Sequence, residues 1–192
     1  MNLQPGSPLG VGLTDGDITI GALGTVTYKN NDQILGFGHR FLQLGHTDFL
    51  LTKSAVYDTV QSLKASFKMG SISENVGSIT EDRYQGIMGQ MGLQPDLIGL
   101  DFQVINKDSK KANDLSIDVV KSPSLVGPLA FPLMMESIDR SVNRIGPGTI
   151  KVDYTIEGKN MPQKLTRSDI FFSTTDASLL PSLQVAIIVD FL

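Results

Sequence analysis

The stretch Thr25-Val26-Thr27-Tyr28-Lys29-Asn30-Asn31-Asp32-Gln33-Ile34-Leu35-Gly36-Phe37 sets two short strand-forming runs either side of a polar turn. Lys29 to Asp32 supplies the turn chemistry. Thr25 to Tyr28 and Ile34 to Phe37 then read as the two strands of a hairpin. Working outward, apolar and polar residues alternate with a period of two along most of the chain, which is the period of strands. Ile18 to Ile20, Ala55 to Val60, Ser66 to Met69, Gly77 to Thr80 and Gly86 to Met88 read as further strands. Leu97 to Ile105 and Leu115 to Val120 flank the polar segment Asn106–Asn113 as a second hairpin, and Thr149 to Ile156 and Ile170 to Ser173 follow. A long terminal strand is predicted last, because Leu183, Val185, Ile187, Val189 and Phe191 share one face of a period-two pattern.

One helix interrupts the alternation. Leu129 to Arg144 places Met134, Ile138, Val142 and Ile145 at helical spacing. Pro128 and Pro132 fall near the first turn, where amide donors lack partners. Gly146-Pro147-Gly148 is the expected stop, and Arg140 and Arg144 suit the negative end of the helix dipole. Met134 and Met135 read as core filler. The glycines are concentrated before Gly99. The expected architecture is therefore mainly β: a tight, turn-rich barrel, then longer hairpins packed on one α-helix. Residues 1–192 are read as a single domain, with a soft subdivision near residues 106–113.

A chain of 192 residues buries roughly 70% of its unfolded surface, enough for a core without disulfides or metals. Hydrophobic residues make up 41% and charged residues 19%, at a net charge of −4, which gives no electrostatic reason to expect nucleic acid. The nearest approach to a basic cluster, Lys107 to Lys111, is interrupted by Asp108 and reads as a solvated connector. The absence of cysteine excludes disulfides, zinc–thiolate sites and cysteine nucleophiles. No stretch approaches the ~20 apolar residues that span a bilayer. Asn2-Leu3-Gln4-Pro5-Gly6, neither basic nor apolar, does not read as a signal peptide. Met1 lies a few residues ahead of patterned sequence, which reads equally as a native start or as a cut from a longer protein.

The two histidines share one segment, Gly36-Phe37-Gly38-His39-Arg40-Phe41-Leu42-Gln43-Leu44-Gly45-His46-Thr47-Asp48. Histidine is the side chain best suited to proton transfer near neutral pH, and His39 follows a strand ending in Gly-Phe-Gly, where a substrate backbone can approach closely. The bland reading is a histidine that hydrogen-bonds the barrel rim. His46 and Asp48 invite a metal site with His39, but His-x6-His-x-Asp is not a familiar zinc arrangement. Asp48 is instead a candidate to orient His39, as a triad acid does. Glu81, Asp82 and Arg83 suggest a local ion pair, and the two adjacent acids should point to opposite faces of a strand rather than share a site. Gly6, Gly10 and Gly12 do not lead into a helix, so no nucleotide loop is present. No Gly-x-Ser-x-Gly elbow occurs, and Ser71 and Ser78 lack the setting of an exposed nucleophile.

At these residues the sequence resembles the SpoIVB-type serine peptidase domain of sporulating bacteria and its wider bacterial relatives. The match covers about Pro5 to Leu93. It begins with Pro5-Gly6-Ser7-Pro8-Leu9-Gly10-Val11 and Asp15-Gly16-Asp17. Gly21-Ala22-Leu23-Gly24-Thr25-Val26-Thr27-Tyr28 and Leu35-Gly36-Phe37-Gly38-His39 come next. Ser54-Ala55-Val56, Ser66-Phe67-Lys68, Val76-Gly77-Ser78-Ile79 and Gly86-Ile87-Met88-Gly89 follow in the family's order. The resemblance implies a chymotrypsin-like β-barrel in which His39 is the catalytic histidine, no cofactor, and an extracytoplasmic parent protein. The family's serine lies in a Gly-Met-Ser-Gly-Ser-Pro run that this chain lacks, so no serine is carried over, and neither Asp48 nor Asp82 has a secure family role.

The expected function is therefore that of a serine endopeptidase-family domain, acting on protein or peptide substrates. It carries the general base but not the nucleophile, and is inactive alone. Gly38 and Gly89 are guesses for oxyanion-hole amides. If a missing serine segment also contributes barrel strands, unpaired edges should favour a homo-oligomer. The rival expectation is a noncatalytic module that holds a peptide by strand addition at a barrel edge.

Overall fold

A computed structural model describes residues 3–64, 66–159 and 161–191. Leu192, the expected end of the terminal strand, lies outside the described residues, as do Met1 and Asn2 of the N-terminal stretch. The chain folds as two compact units, Met1–Leu100 with Ser116–Ser122 and Asp101–Leu115 with Pro123–Leu192.

The first unit is built on six strands: β1 Pro8–Gly12, β3 Gly21–Asn30, β4 Gln33–Gly36, β5 Gly45–Val60, β6 Phe67–Arg83 and β7 Gly86–Met91. They form a closed antiparallel barrel in the order β1-β3-β4-β7-β6-β5, with β1 pairing both β3 and β5. The hairpin predicted about Lys29–Asp32 is the β3–β4 pair, with Asn30 opposite Gln33. Inside, Leu9, Val11, Val26, Ile34, Phe49, Leu51, Ile79 and Ile87 are all buried. Each such side chain stabilises the fold by roughly 1.5–3 kcal/mol. Because the barrel closes on six strands of this chain, the premise behind the expected homo-oligomer, a barrel strand missing from the chain, is not met.

Two expectations for this unit are corrected. Ile18 to Ile20 is a loop and not a strand. Thr14 precedes it in the short strand β2 (Thr14–Gly16), and its hydroxyl donates to Ile18 O (2.8 Å) and accepts from Ile20 N–H (2.7 Å). That local competition takes the backbone groups a ladder would use. Ser66–Met69 and Gly77–Thr80, predicted as separate strands, fall, Ser66 apart, in the single long β6, whose first part pairs with β5 as a hairpin arm: Ser54 lies opposite Ile72 and Val60 opposite Phe67.

Strands β8 (Leu97–Asn106) and β9 (Lys111–Val120) are the predicted second hairpin, with β2 added at the β9 edge. Of this hairpin only Asp101–Asn106 and Lys111–Leu115 belong to the second unit, which otherwise holds α1 (Val126–Val142), the hairpin β10 (Gly148–Ile156) and β11 (Leu165–Ser173), and α2 (Leu179–Asp190). Helix α1 starts earlier than predicted and ends at Asn143, in the left-handed conformation (φ 57°) with its N–H on Asp139 O. Gly146-Pro147-Gly148 is therefore not the stop, and Ile145 is exposed. The predicted terminal strand is α2. Leu180, Ala186 and Ile188 break the alternation, and Leu179, Leu183 and Ile187 also recur at helical spacing, so a period of two does not distinguish strand from helix. Tertiary packing decides instead: α2 lies along α1 with Asp190 against Gly127, and Ser182 and Ala186 are buried one turn apart. The one expected helix is thus a pair. Among the described residues no helix is long and apolar enough to cross a membrane.

Candidate functional site

Strand β4 is short, and its end creates the site. Gly36 lies opposite Val26, and Phe37 N–H still donates to Thr25 O (3.0 Å). Phe37 (φ 69°) and Gly38 (φ 75°) then take left-handed backbone angles that carry the chain out of the ladder. That conformation suits Gly38 but is a strained one for a bulky phenylalanine, and such strain concentrates at functional positions. The Phe37 ring covers Gly24, where an added Cβ would stand 2.1 Å from it.

With β4 gone, Gly21–Thr25 of β3 keep a strand partner on the β1 side alone. Val26 N–H donates to Ser7 O (2.9 Å) and Leu13 N–H to Ile20 O (2.8 Å), so even-numbered residues bond toward β1. By antiparallel alternation, the backbone groups of Gly21, Leu23 and Thr25 address the other side. There an open groove of about 690 Å³ runs between this edge, Phe37 and His39, and the arm residues Phe67–Gly70. Lys68 reaches across it, donating from Nζ to Thr25 Oγ1 at 2.5 Å.

His39 is exposed at the groove, its ring 5.5 Å from that of Phe37. Nδ1 lies 2.7 Å from Arg40 O. A carbonyl oxygen only accepts, so Nδ1 is the donor, and in the neutral ring Nε2 is then the acceptor. The turn after His39 is held by Asp82, which is fully buried. Its Oδ1 accepts Phe41 N–H (2.9 Å), and its Oδ2 accepts Leu42 N–H (2.7 Å) and Leu44 N–H (3.5 Å). Phe41 packs edge-on to Phe37 (6.0 Å) and to the core residue Phe49 (6.3 Å), which ties the turn to the barrel interior.

The other expected participants lie elsewhere. Asp48 does not orient His39: its Oδ1 accepts the buried Ser78 hydroxyl (2.5 Å) and its Oδ2 accepts Asp96 N–H (2.7 Å). His46 is a surface residue 3.3 Å from Glu81, and Glu81 is paired in turn with Arg83 (2.7 Å). The hydrogen bond from His46, and then that from Arg83, holds the Glu81 carboxyl below its ordinary range. Among the described residues no three histidine or acidic side chains gather as a metal would require. Glu81 is partly exposed and Asp82 buried, as adjacent residues on opposite strand faces should be. Ser71 meets the Tyr57 hydroxyl at 2.6 Å. The oxyanion guesses fail on geometry: Gly38 N–H is spent on Gly36 O (2.9 Å), and Gly89 is buried within the ladder between Ile34 and Ile79. Sequence reasoning missed Lys68, Ser66 and Leu23 as groove residues. It also read Asp82 only as part of a local ion pair, and the register that sets this acid opposite Ile87 is visible only in the structure.

Fold and site together define an antiparallel barrel that presents an oriented imidazole beside an open sheet edge. No family model matches the chain, and no curated protein or solved structure matches it either.

Proposed function

We propose that this chain is a serine-peptidase-type domain in which His39 is the general base, acting on a hydroxyl that the chain does not itself supply. The observation that carries this reading is the 2.7 Å contact of His39 Nδ1 with Arg40 O, which leaves Nε2 of this groove-lining residue as the acceptor in the neutral ring. In that role Nε2 takes the proton from a serine hydroxyl as its oxygen adds to the scissile carbonyl carbon. It returns the proton to the leaving amine when the carbon–nitrogen bond breaks. The hydroxyls at the groove are engaged already: Thr25 accepts from Lys68, and Ser66 exchanges bonds with the Ser62 backbone (3.2 and 3.3 Å).

The substrate this groove fits is an extended peptide laid antiparallel along Gly21–Thr25, in line with the missing continuation of β4. Lys68 is the one lysine or arginine among the lining residues, none of which is acidic, so a peptide with an acidic side chain at that level is favoured. The same free edge also supports the rival reading, a module that binds peptides without cutting them.

Fluorophosphonate labelling separates the two. The probe is applied to this chain, to its His39→Ala variant and to the protein as the cell makes it, and adducts are mapped by mass spectrometry. His39-dependent labelling at a serine outside these 192 residues is the expected result. An adduct at Ser66 would place the nucleophile in this chain and overturn the external hydroxyl. No adduct on folded protein in any arm leaves the binding module.

A further inference from the structure

We propose that Asp82 is a positioning residue for His39, acting through the single peptide group that joins Arg40 to Phe41. Phe41 N–H donates to Asp82 Oδ1 at 2.9 Å, and Arg40 O, on the other side of the same peptide group, accepts His39 Nδ1–H at 2.7 Å. The order of atoms is carboxylate, amide N–H, amide C=O, imidazole N–H. A peptide unit is flat, with a rotation barrier of ~18–20 kcal/mol, so holding its N–H fixes the direction of its C=O. Its resonance also couples the two ends. A carboxylate drawing on the N–H pushes electron density onto the carbonyl oxygen and makes it a better acceptor for the ring. At one remove, the acid does what a triad carboxylate does in contact: it keeps the proton on Nδ1 and the lone pair on Nε2. The role rests on the reading of His39 as a base, but the hydrogen-bond chain does not.

Two features distinguish this from a carboxylate that merely staples a loop. Asp82 divides its oxygens, with Oδ1 given to Phe41 alone and Oδ2 to Leu42 and Leu44. Asp82 is also fully buried, so water does not compete for the oxygen that faces the peptide. The Phe41 ring, held between Phe37 and Phe49, limits movement of the same unit from its other end.

The test is Asp82→Asn, which keeps the shape of the side chain. Asparagine best keeps its carbonyl on the two donors Leu42 and Leu44, which turns its NH2 toward Phe41 N–H, donor against donor. Nitrogen-15 shifts of the histidine rings are measured on the folded chain at a pH where His39 is neutral, with His46→Gln to assign the signals. The parent should show one tautomer, protonated at Nδ1, and Asp82→Asn should show exchange between both. A variant with the parent's tautomer and a faster-exchanging Phe41 amide would overturn the proposal, because the loop has then opened without any effect on the ring. If the variant does not fold, the parent decides. A trans-hydrogen-bond coupling between the Phe41 amide nitrogen and the Asp82 carboxyl carbon, with a single Nδ1–H tautomer, is expected, and the lack of either overturns the role. Labelling by fluorophosphonate that needs His39 but ignores Asp82→Asn, with the tautomer unchanged, defeats the positioning role alone. A tautomer change with no labelling anywhere defeats the base and leaves the hydrogen-bond chain from Asp82 to the ring standing.

Discussion

Gly24→Ala is the substitution that most directly tests how the groove is built. An ideal Cβ at position 24 stands 2.1 Å from both Cδ1 and Cε1 of Phe37, where ordinary contact begins at 3.4 Å. Two atoms of one ring edge are struck at once, so a small ring rotation gives no relief. The backbone of Phe37 is also fixed, by its bond to Thr25 O and by Gly38 N–H on Gly36 O. Overpacking of this kind costs about 1–3 kcal/mol. A displaced ring further loses its edge contact with Phe41, worth about 0.5–1.5 kcal/mol. Alanine recovers about 0.5–1 kcal/mol by restricting the unfolded chain. The net destabilisation of about 1–3 kcal/mol lowers Tm by about 3–10 °C in a chain of this length. The control is Gly99→Ala on β8, where the added Cβ finds only Asp118 Oδ1 at 3.7 Å and the backbone is unrestricted. That change should be neutral or slightly stabilising. Thermal unfolding of the two variants is followed by circular dichroism, with the His39 ring protons monitored by NMR, since that ring sits 5.5 Å from the one displaced. If Gly24→Ala melts together with Gly99→Ala, Phe37 does not cover Gly24, and the account of how the groove ends is wrong.

Asp48→Ala should destabilise by about 2–4 kcal/mol in urea unfolding, because it strands the buried Ser78 hydroxyl and frees Asp96 N–H; it should leave the His39 tautomer unchanged, and a tautomer shift would restore Asp48 as the orienting acid. Leu23→Pro removes an amide that faces the groove rather than β1, so circular dichroism should be retained. It should abolish the shifts that an acetylated Thr-Val-Glu-Val-Thr peptide induces at Thr25 and Lys68 in the parent; the same peptide with lysine in place of glutamate should bind more weakly, and equal binding would dispose of the Lys68 preference. Glu81 is held below its ordinary range by His46 and Arg83, so its stabilisation is present above the normal glutamate range and is lost as pH falls through the lowered folded value. Tm against pH should therefore be flatter on its acid limb in Glu81→Gln, and an unchanged slope would show the pairing to be energetically silent.

The barrel was legible because its determinants are local and periodic. The β3–β4 hairpin announces itself by a polar turn between alternating runs, and β7 and the β8–β9 hairpin follow the same rule. The errors fall where a tertiary contact or a side-chain hydrogen bond outweighs periodicity. Ile18–Ile20 has strand composition, but the Thr14 hydroxyl takes its backbone groups. The segment from Leu179 to Asp190 has β-branched residues at the alternate positions Val185, Ile187 and Val189, yet helix α1 offers it a face on which Ser182 and Ala186 can be buried. Apolar residues recur there at both strand and helical spacing, and only the partner distinguishes the two. The joined length of β6 was also out of reach, since Gly70-Ser71-Ile72-Ser73-Glu74-Asn75-Val76 reads as a polar break between the two predicted strands.

The site divides along the same line. His39 was visible because its residue type and its glycine flank are written in one contiguous segment. The groove was not, because it is defined by where β4 stops, and the stop depends on Phe37 accepting a left-handed conformation that glycine would take more readily. Asp48 was the natural candidate for the orienting acid on sequence distance, being nine positions from His39, whereas Asp82 lies forty-one residues from the amide that it holds. Strand pairing reverses that order: Gly45 lies opposite Asp82 in the β5–β6 ladder, so the turn that carries His39 returns beneath the buried acid. Proximity along the chain therefore selects the wrong carboxylate. The register of two strands selects the right one, and the link between it and the imidazole is a backbone peptide that no motif search would weigh.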